Sequence, residues 1–139
     1  MLRKSPRTHT ARIEVRYAET DAMAVVHHAV YPVWFEQARS EILRKYGIPY
    51  TELEATGYQS PVLAIEIEYV KPARYGDFAD IQVSMIQEDR LRFRFKYEVF
   101  VNGTLITKAS TLHLFTCQGK LSRTLPEKFI RAFFPEELS

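Results

Sequence analysis

From Ala11 the chain alternates, with Ile13, Val15 and Tyr17 on one side and Arg12, Glu14 and Arg16 on the other. A period of two is that of a half-buried strand, so the first strand is predicted here. The stretch from Thr20 to Tyr31, TDAMAVVHHAVY, is too short for an ordinary helix and reads as a shaped loop. Tyr31, Trp34, Phe35, Ala38, Ile42 and Tyr46 then recur at helical spacing and predict a helix of about four turns. Pro32 fits its first turn, Glu41 stands four residues before Lys45 as a supporting ion pair, and Gly47 suits a left-handed C-cap. Thr51-Glu52-Leu53-Glu54 has the spacing of a capping box and predicts a short helix closed by Gly57.

Beyond Pro61 the period falls to two and stays there. Leu63, Ile65, Ile67 and Tyr69 predict a second strand, Ile81, Val83 and Met85 a third, and Leu91, Phe93, Phe95, Tyr97 and Val99 a fourth. Asn102-Gly103 suits a tight type I′ hairpin into a fifth strand, Thr104 to Cys117, whose alternation is imperfect. A short helix is predicted from Leu125 to Phe134, after Pro126. The order is strand, long helix, then four strands on short turns: an α+β layout with one principal helix and a mainly antiparallel sheet. Arg92, Arg94, Lys96 and Glu98 make the outer face of the fourth strand polar, so the helix belongs on the opposite face.

At 139 residues the chain points to one domain, read as residues 11–139, behind a basic tail, residues 1–10, whose Arg3, Lys4 and Arg7 are expected to fray. A hydrophobic fraction of 46% with 26% charged residues excludes disorder as the main state. A formal charge of +2 is too balanced for nucleic-acid binding as the main role. The single cysteine, Cys117, excludes an internal disulfide and a cysteine-rich zinc site, and fits a reducing, cytoplasmic setting. No apolar run reaches the ~20 residues that span a bilayer, and no secretory signal is evident, so neither membrane insertion nor export is expected.

The loop after the first strand carries the most chemistry. Asp21 sits among Ala22, Met23, Ala24, Val25 and Val26, where partial desolvation would raise its pKa; an aspartate after a strand also commonly forms a turn or a cap. His27 and His28 are adjacent, so they do not converge on one metal ion, and no metal site is expected. One of them lies near the start of the long helix, where outward backbone N–H groups form a natural oxyanion site. Glu36 and Glu41 read as solvated helix charges and Cys117 as a packed thiol. Lys71, Arg74, Lys120 and Arg123 suit phosphate oxygens, and equally well ordinary surface charge. Tyr58, Gln59 and Ser60, just before the second strand, are candidates to line a pocket.

Tyr17-x-x-Thr20-Asp21-x-x-x-Val25-Val26-His27-His28-x-x-Tyr31, followed by Phe35-Glu36-x-Ala38-Arg39, resembles the 4-hydroxybenzoyl-CoA thioesterase family of hotdog-fold acyl-CoA thioesterases. Val70-Lys71-Pro72-Ala73-Arg74-Tyr75-Gly76-Asp77 resembles that family's Pro-Ala-Arg-x-Gly-Asp segment, while Ala24 and Ala29 stand where the family usually has glycine and asparagine. The resemblance implies a hotdog fold, with a five-stranded, mainly antiparallel sheet wrapped around one long central helix. It also implies a homodimer or homotetramer with sites at the subunit boundary, and hydrolysis of an acyl-CoA substrate without cofactor or metal. By that resemblance Asp21 is the general base or nucleophile and the backbone N–H of His28 polarises the thioester carbonyl. The candidate set is Asp21, His28 and Tyr17 as catalytic residues, with His27, Tyr31, Ser60 and Arg74 as substrate-binding residues. Two rival readings are a hotdog dehydratase or hydratase drawing on His28 and Glu41, and a non-catalytic acyl-CoA-binding module.

Overall fold

The computed structural model describes residues 3–138. Strands β1 (Arg3–Lys4) and β2 (His9–Glu14) come first, followed by helices α1 (Tyr31–Lys45) and α2 (Tyr50–Ala55). Strand β3 (Tyr58–Gln59) precedes four long strands, β4 (Val62–Tyr69), β5 (Phe78–Gln87), β6 (Arg92–Val101) and β7 (Thr104–Leu114). Short strands β8 (Thr116–Cys117) and β9 (Lys120–Leu121) lead to helix α3 (Glu127–Phe133). The main sheet runs β1-β5-β6-β7-β4, and β2 also pairs with β5, continuing the edge that β1 begins. Every pairing in it is antiparallel. Strand β2 and the four long strands answer to the five that the alternation predicts; strands β3, β8 and β9 form a separate small sheet.

Helix α1 forms where the apolar stripe predicts it, and Trp34, Phe35, Ala38 and Ile42 are buried against β2 and β5. On the sheet, Ile81, Val83 and Met85 of β5 and Phe93, Phe95, Tyr97 and Val99 of β6 form the inner face of one continuous core. Removing this apolar surface from water drives the helix onto the sheet, at roughly 25 cal/mol per Å². Gly47 adopts φ +82, as a left-handed cap requires. Asn102 (φ 50) and Gly103 (φ 77) make the type I′ turn between β6 and β7.

Four local expectations are corrected. Residues 3–10 do not fray: β1 pairs with β5, Ser5 is buried with its hydroxyl donating to the Phe133 carbonyl, and His9 and Thr10 belong to β2. These polar groups find sheet and α3 partners far along the chain, which no local pattern reveals; Met1 and Leu2 lie outside the described residues. The first strand ends at Glu14, and the chain turns through a 3-10 segment, Tyr17–Glu19, that swings Tyr17 outward. Pro49, not Thr51, caps α2. Glu41 accepts from His9 and Gln37, while Lys45 donates to the Thr8 carbonyl, so the expected Glu41–Lys45 pair does not form.

Candidate active site

The loop from Thr20 to Val30 is built from backbone hydrogen bonds rather than from a core of its own. The Asp21 N–H donates to the Val25 carbonyl at 2.9 Å, and the Ala24 N–H donates to the Asp21 carbonyl at 2.9 Å. Asp21 Oδ1 accepts from the Met23 N–H at 2.8 Å and from the Val25 N–H at 3.5 Å, an Asx-type turn. The turn half of the sequence reading is therefore realised, and the carboxylate is half-buried rather than enclosed. Among the described residues Oδ2 has no hydrogen-bond partner. Ala24 closes the turn at φ 65, left-handed backbone that glycine occupies without penalty.

Two distant segments hold the loop. The Val26 N–H donates to the Ala73 carbonyl, and Val25 bridges Arg74, so the Pro72-Ala73-Arg74-Tyr75-Gly76-Asp77 turn lies against the aspartate loop. That turn is itself pinned by Asp77, whose Oδ2 accepts from the Arg74 N–H at 2.9 Å. On the other side, the His27 N–H donates to the Glu19 carbonyl at 2.9 Å.

Glu19 is the residue that the sequence reading missed. Its carboxylate is 6% exposed; it accepts from the Arg16 N–H at 2.8 Å, from the Arg16 guanidinium at 3.2 Å and from the Trp34 indole N–H at 3.0 Å. Burial opposes its charge, but the hydrogen bonds from Arg16 and Trp34 and the Arg16 charge outweigh it, and its pKa lies below the usual value. Glu19 thus ties the loop to α1. The available signal was an acid two residues before Asp21 with a tryptophan fifteen residues on, a spacing with no meaning until the chain folds.

At the entrance to α1, His27 Nδ1 accepts from the Ala29 N–H at 3.1 Å and caps a 3-10 turn, His28–Val30, that runs straight into the helix. The two imidazoles stack, with centroids 4.2 Å apart. The His28 carbonyl accepts from the Tyr69 hydroxyl at 2.8 Å, while among the described residues the His28 N–H has no acceptor. A free N–H at a helix entrance is suited to a developing oxyanion. A depression of about 250 Å³ beside it is bordered by His28, Val25, Tyr31 and Tyr69. Tyr31 is almost wholly buried there, and burial raises its pKa.

Val25, hydrogen-bonded to Asp21 and bridged to Arg74, borders the same depression as His28 and Tyr31, and His27 stacks on His28. Tyr17 is exposed, its ring edge-on to Tyr75 at 5.7 Å, and the Arg74 side chain is exposed as well. Ser60 is not brought there: it lines a different cavity, with His113 and Arg39. Glu41 is engaged by His9, which removes the acid that a dehydratase reading would use. Among the described residues no three His, Cys, Asp or Glu side chains cluster as a metal site, and no helix is long and apolar enough to cross a membrane.

The sequence profile of the thioesterase-like superfamily matches residues 15–134. The chain belongs to that superfamily. Among its relatives, the Bacillus subtilis protein YneP is 38% identical over 122 residues, covering 87% of this chain and 86% of YneP. The Escherichia coli protein named acyl-CoA thioester hydrolase YbgC is 30% identical over 123 residues, covering 87% of this chain and 92% of YbgC. The crystal structure of a hypothetical protein from Aquifex aeolicus superposes with a TM-score of 0.86 at 33% identity, over 90% of this chain and 98% of that one. Within the superfamily the helix-on-sheet architecture is the hotdog fold.

Proposed function

We propose that this thioesterase-superfamily chain hydrolyses an acyl-CoA thioester to CoA and a free carboxylic acid, with Asp21 as general base or nucleophile and the His28 N–H as oxyanion donor. The observation that supports the reading is one loop that holds both an Asp21 oxygen and a His28 N–H without a partner among the described residues. The name borne by YbgC points to the same reaction class.

With Asp21 as base, Oδ2 takes a proton from water while the water oxygen attacks the thioester carbon; the tetrahedral oxyanion rests on the His28 N–H, the C–S bond breaks, and the thiolate leaves with the proton. With Asp21 as nucleophile, Oδ2 attacks the carbon directly, the thiolate leaves, and water opens the resulting anhydride. Oδ1, held by the Met23 and Val25 N–H groups, fixes the carboxylate's direction in either course. A single turnover in heavy-oxygen water that leaves label in Asp21 establishes the anhydride course, since water that opens the anhydride at the aspartyl carbon leaves its oxygen there.

The working unit in this reading is a homodimer or homotetramer, as strand β4 supports. Among the described residues it is an edge strand with one unpaired side, and Val62, Leu63, Ile65 and Tyr69 on it are exposed apolar residues. Exposed apolar edges are ordinarily covered, and a second copy of the same edge is a self-complementary cover. The deciding experiment is Asp21→Asn: thioester cleavage, followed by free-thiol release over a panel of acyl-CoAs, should fall at least ~10²-fold with an unchanged melting curve. Wild-type turnover by that variant would overturn the proposal, and binding without release by the wild-type protein at every acyl length would favour the binding module.

A further inference from the structure

A second cavity, of about 270 Å³, lies between α1, α2, α3 and the β6–β7 face of the sheet. Its walls are rings: Phe93, Phe95, Phe115 and Phe129, all buried, with Tyr50 alongside. Phe93 stacks on Phe115 at 5.1 Å, and Phe129 meets Phe115 edge-on at 5.1 Å. A cavity of about 150 Å³ already accepts benzene, and aromatic walls offer faces and edges to a flat ligand.

One end of this cavity is polar and ordered. The Arg39 guanidinium donates to the Tyr97 hydroxyl at 3.0 Å, Tyr97 meets Thr111 Oγ1 at 2.6 Å, Thr111 meets His113 Nε2 at 2.8 Å, and His113 Nδ1 meets Ser60 Oγ at 3.4 Å. Because arginine only donates, the Tyr97 hydroxyl oxygen accepts from it, and the hydroxyls of Tyr97 and Thr111 continue the chain of polar groups to His113. His113 also hydrogen-bonds to the backbone of Ser60 and Pro61, and the Ser60 hydroxyl beside it carries a proton that it can donate to a ligand. Burial, with the Arg39 charge second, lowers the His113 pKa to about 4, which matches a neutral imidazole in this chain.

Arg39 itself is half-buried, and among the described residues it has no carboxylate within ion-pair distance. Tyr97 is its one hydrogen-bond partner there, so the other guanidinium donors are unengaged. Glu36, one helical turn earlier, also borders the cavity but is exposed and not paired with Arg39. A cation that faces an aromatic chamber without a counter-ion, beside a hydroxyl with a proton to give, is a receptor for a carboxylate on a flat apolar body.

We propose that this cavity binds a small aromatic carboxylate, with the ring among the phenylalanines and the carboxylate on Arg39 and Ser60. The site stands apart from the hydrolytic reading, because it uses neither Asp21 nor His28. The test is calorimetric titration of the wild-type protein and of Asp21→Asn with benzoate and with its neutral isostere benzamide, with binding mapped by NMR shifts of the Phe93 and Phe129 rings. Benzoate should bind both proteins alike, shift those rings, and bind at least ~10-fold tighter than benzamide. Arg39→Gln should abolish that preference and Arg39→Lys restore part of it. Glu36→Gln, a change at an exposed side chain, should tighten benzoate about 2-fold and leave benzamide unchanged. Equal affinities for the two probes, or ring shifts confined to residues outside the cavity, would overturn the proposal, whatever the fate of the thioesterase assay.

Discussion

Asp21 combines two roles that the sequence reading treats as alternatives. One oxygen belongs to a turn, and the other has no partner among the described residues. The turn exacts a cost at Ala24, where φ 65 places a β-carbon against its own carbonyl, roughly 1–2 kcal/mol in left-handed backbone. Ala24→Gly removes that strain and loosens the unfolded chain slightly, so a net gain of about 1 kcal/mol and a melting temperature higher by about 3 °C are expected. A lower melting temperature for Ala24→Gly, by calorimetry, would show that the Cβ is doing something the turn needs. Glu19 illustrates the converse case. Its charge is tolerated in a buried place because each oxygen has a donor, and it ties Asp21's loop to Trp34.

Among elements, α1 and β4 contrast. The stripe on α1 is satisfied within one chain, since Trp34, Phe35, Ala38 and Ile42 are all buried. Strand β4 reads in sequence as an ordinary alternating strand, yet folding leaves Val62, Leu63, Ile65 and Tyr69 exposed and, among the described residues, one backbone edge without a neighbour. Ile65→Lys, at a position 42% exposed in the single chain, keeps the strand's pairing with Thr111 and places a charge where two edges would meet. Light scattering should then report the mass of a single chain in place of a multiple of it. An undiminished mass would move the subunit interface away from β4.

For the molecule as a whole, buried ionisable groups set the response to acid. His113 has a folded pKa of about 4 against 6.5 in the open chain, so below 6.5 the unfolded state binds the extra proton. Its contribution is complete above 6.5 and is lost as pH falls toward 4, about 3 kcal/mol over that window. Glu19 and Glu41 are both lowered in the folded state, so their contributions persist to lower pH and fade only below about 4.5, as protons reach the folded carboxylates. Urea titrations between pH 4 and 7 should show stability falling from 6.5 downward, and His113→Gln should flatten that segment of the curve. A slope unchanged in the variant would assign the loss to other groups.

Much of this molecule is written in its periodicities. Spacings of two and of three to four residues locate β2, the four long strands and α1 because each element must bury one face, and burial is read from a few neighbours in sequence. The Asn102-Gly103 turn and the Gly47 cap are legible for the same reason: backbone geometry there depends on the residue itself. What only the tertiary structure decided are pairings between residues far apart. They include Ser5 with the Phe133 carbonyl, Glu19 with Trp34, Val25 with Arg74, and the Arg39 to Ser60 relay across α1, β6 and β7. Local patterns specify which face of an element turns inward. They carry no information about which polar group waits on the other side, because that partner is chosen by three-dimensional packing, and it is this packing that leaves Asp21, His28 and Arg39 with atoms unengaged among the described residues.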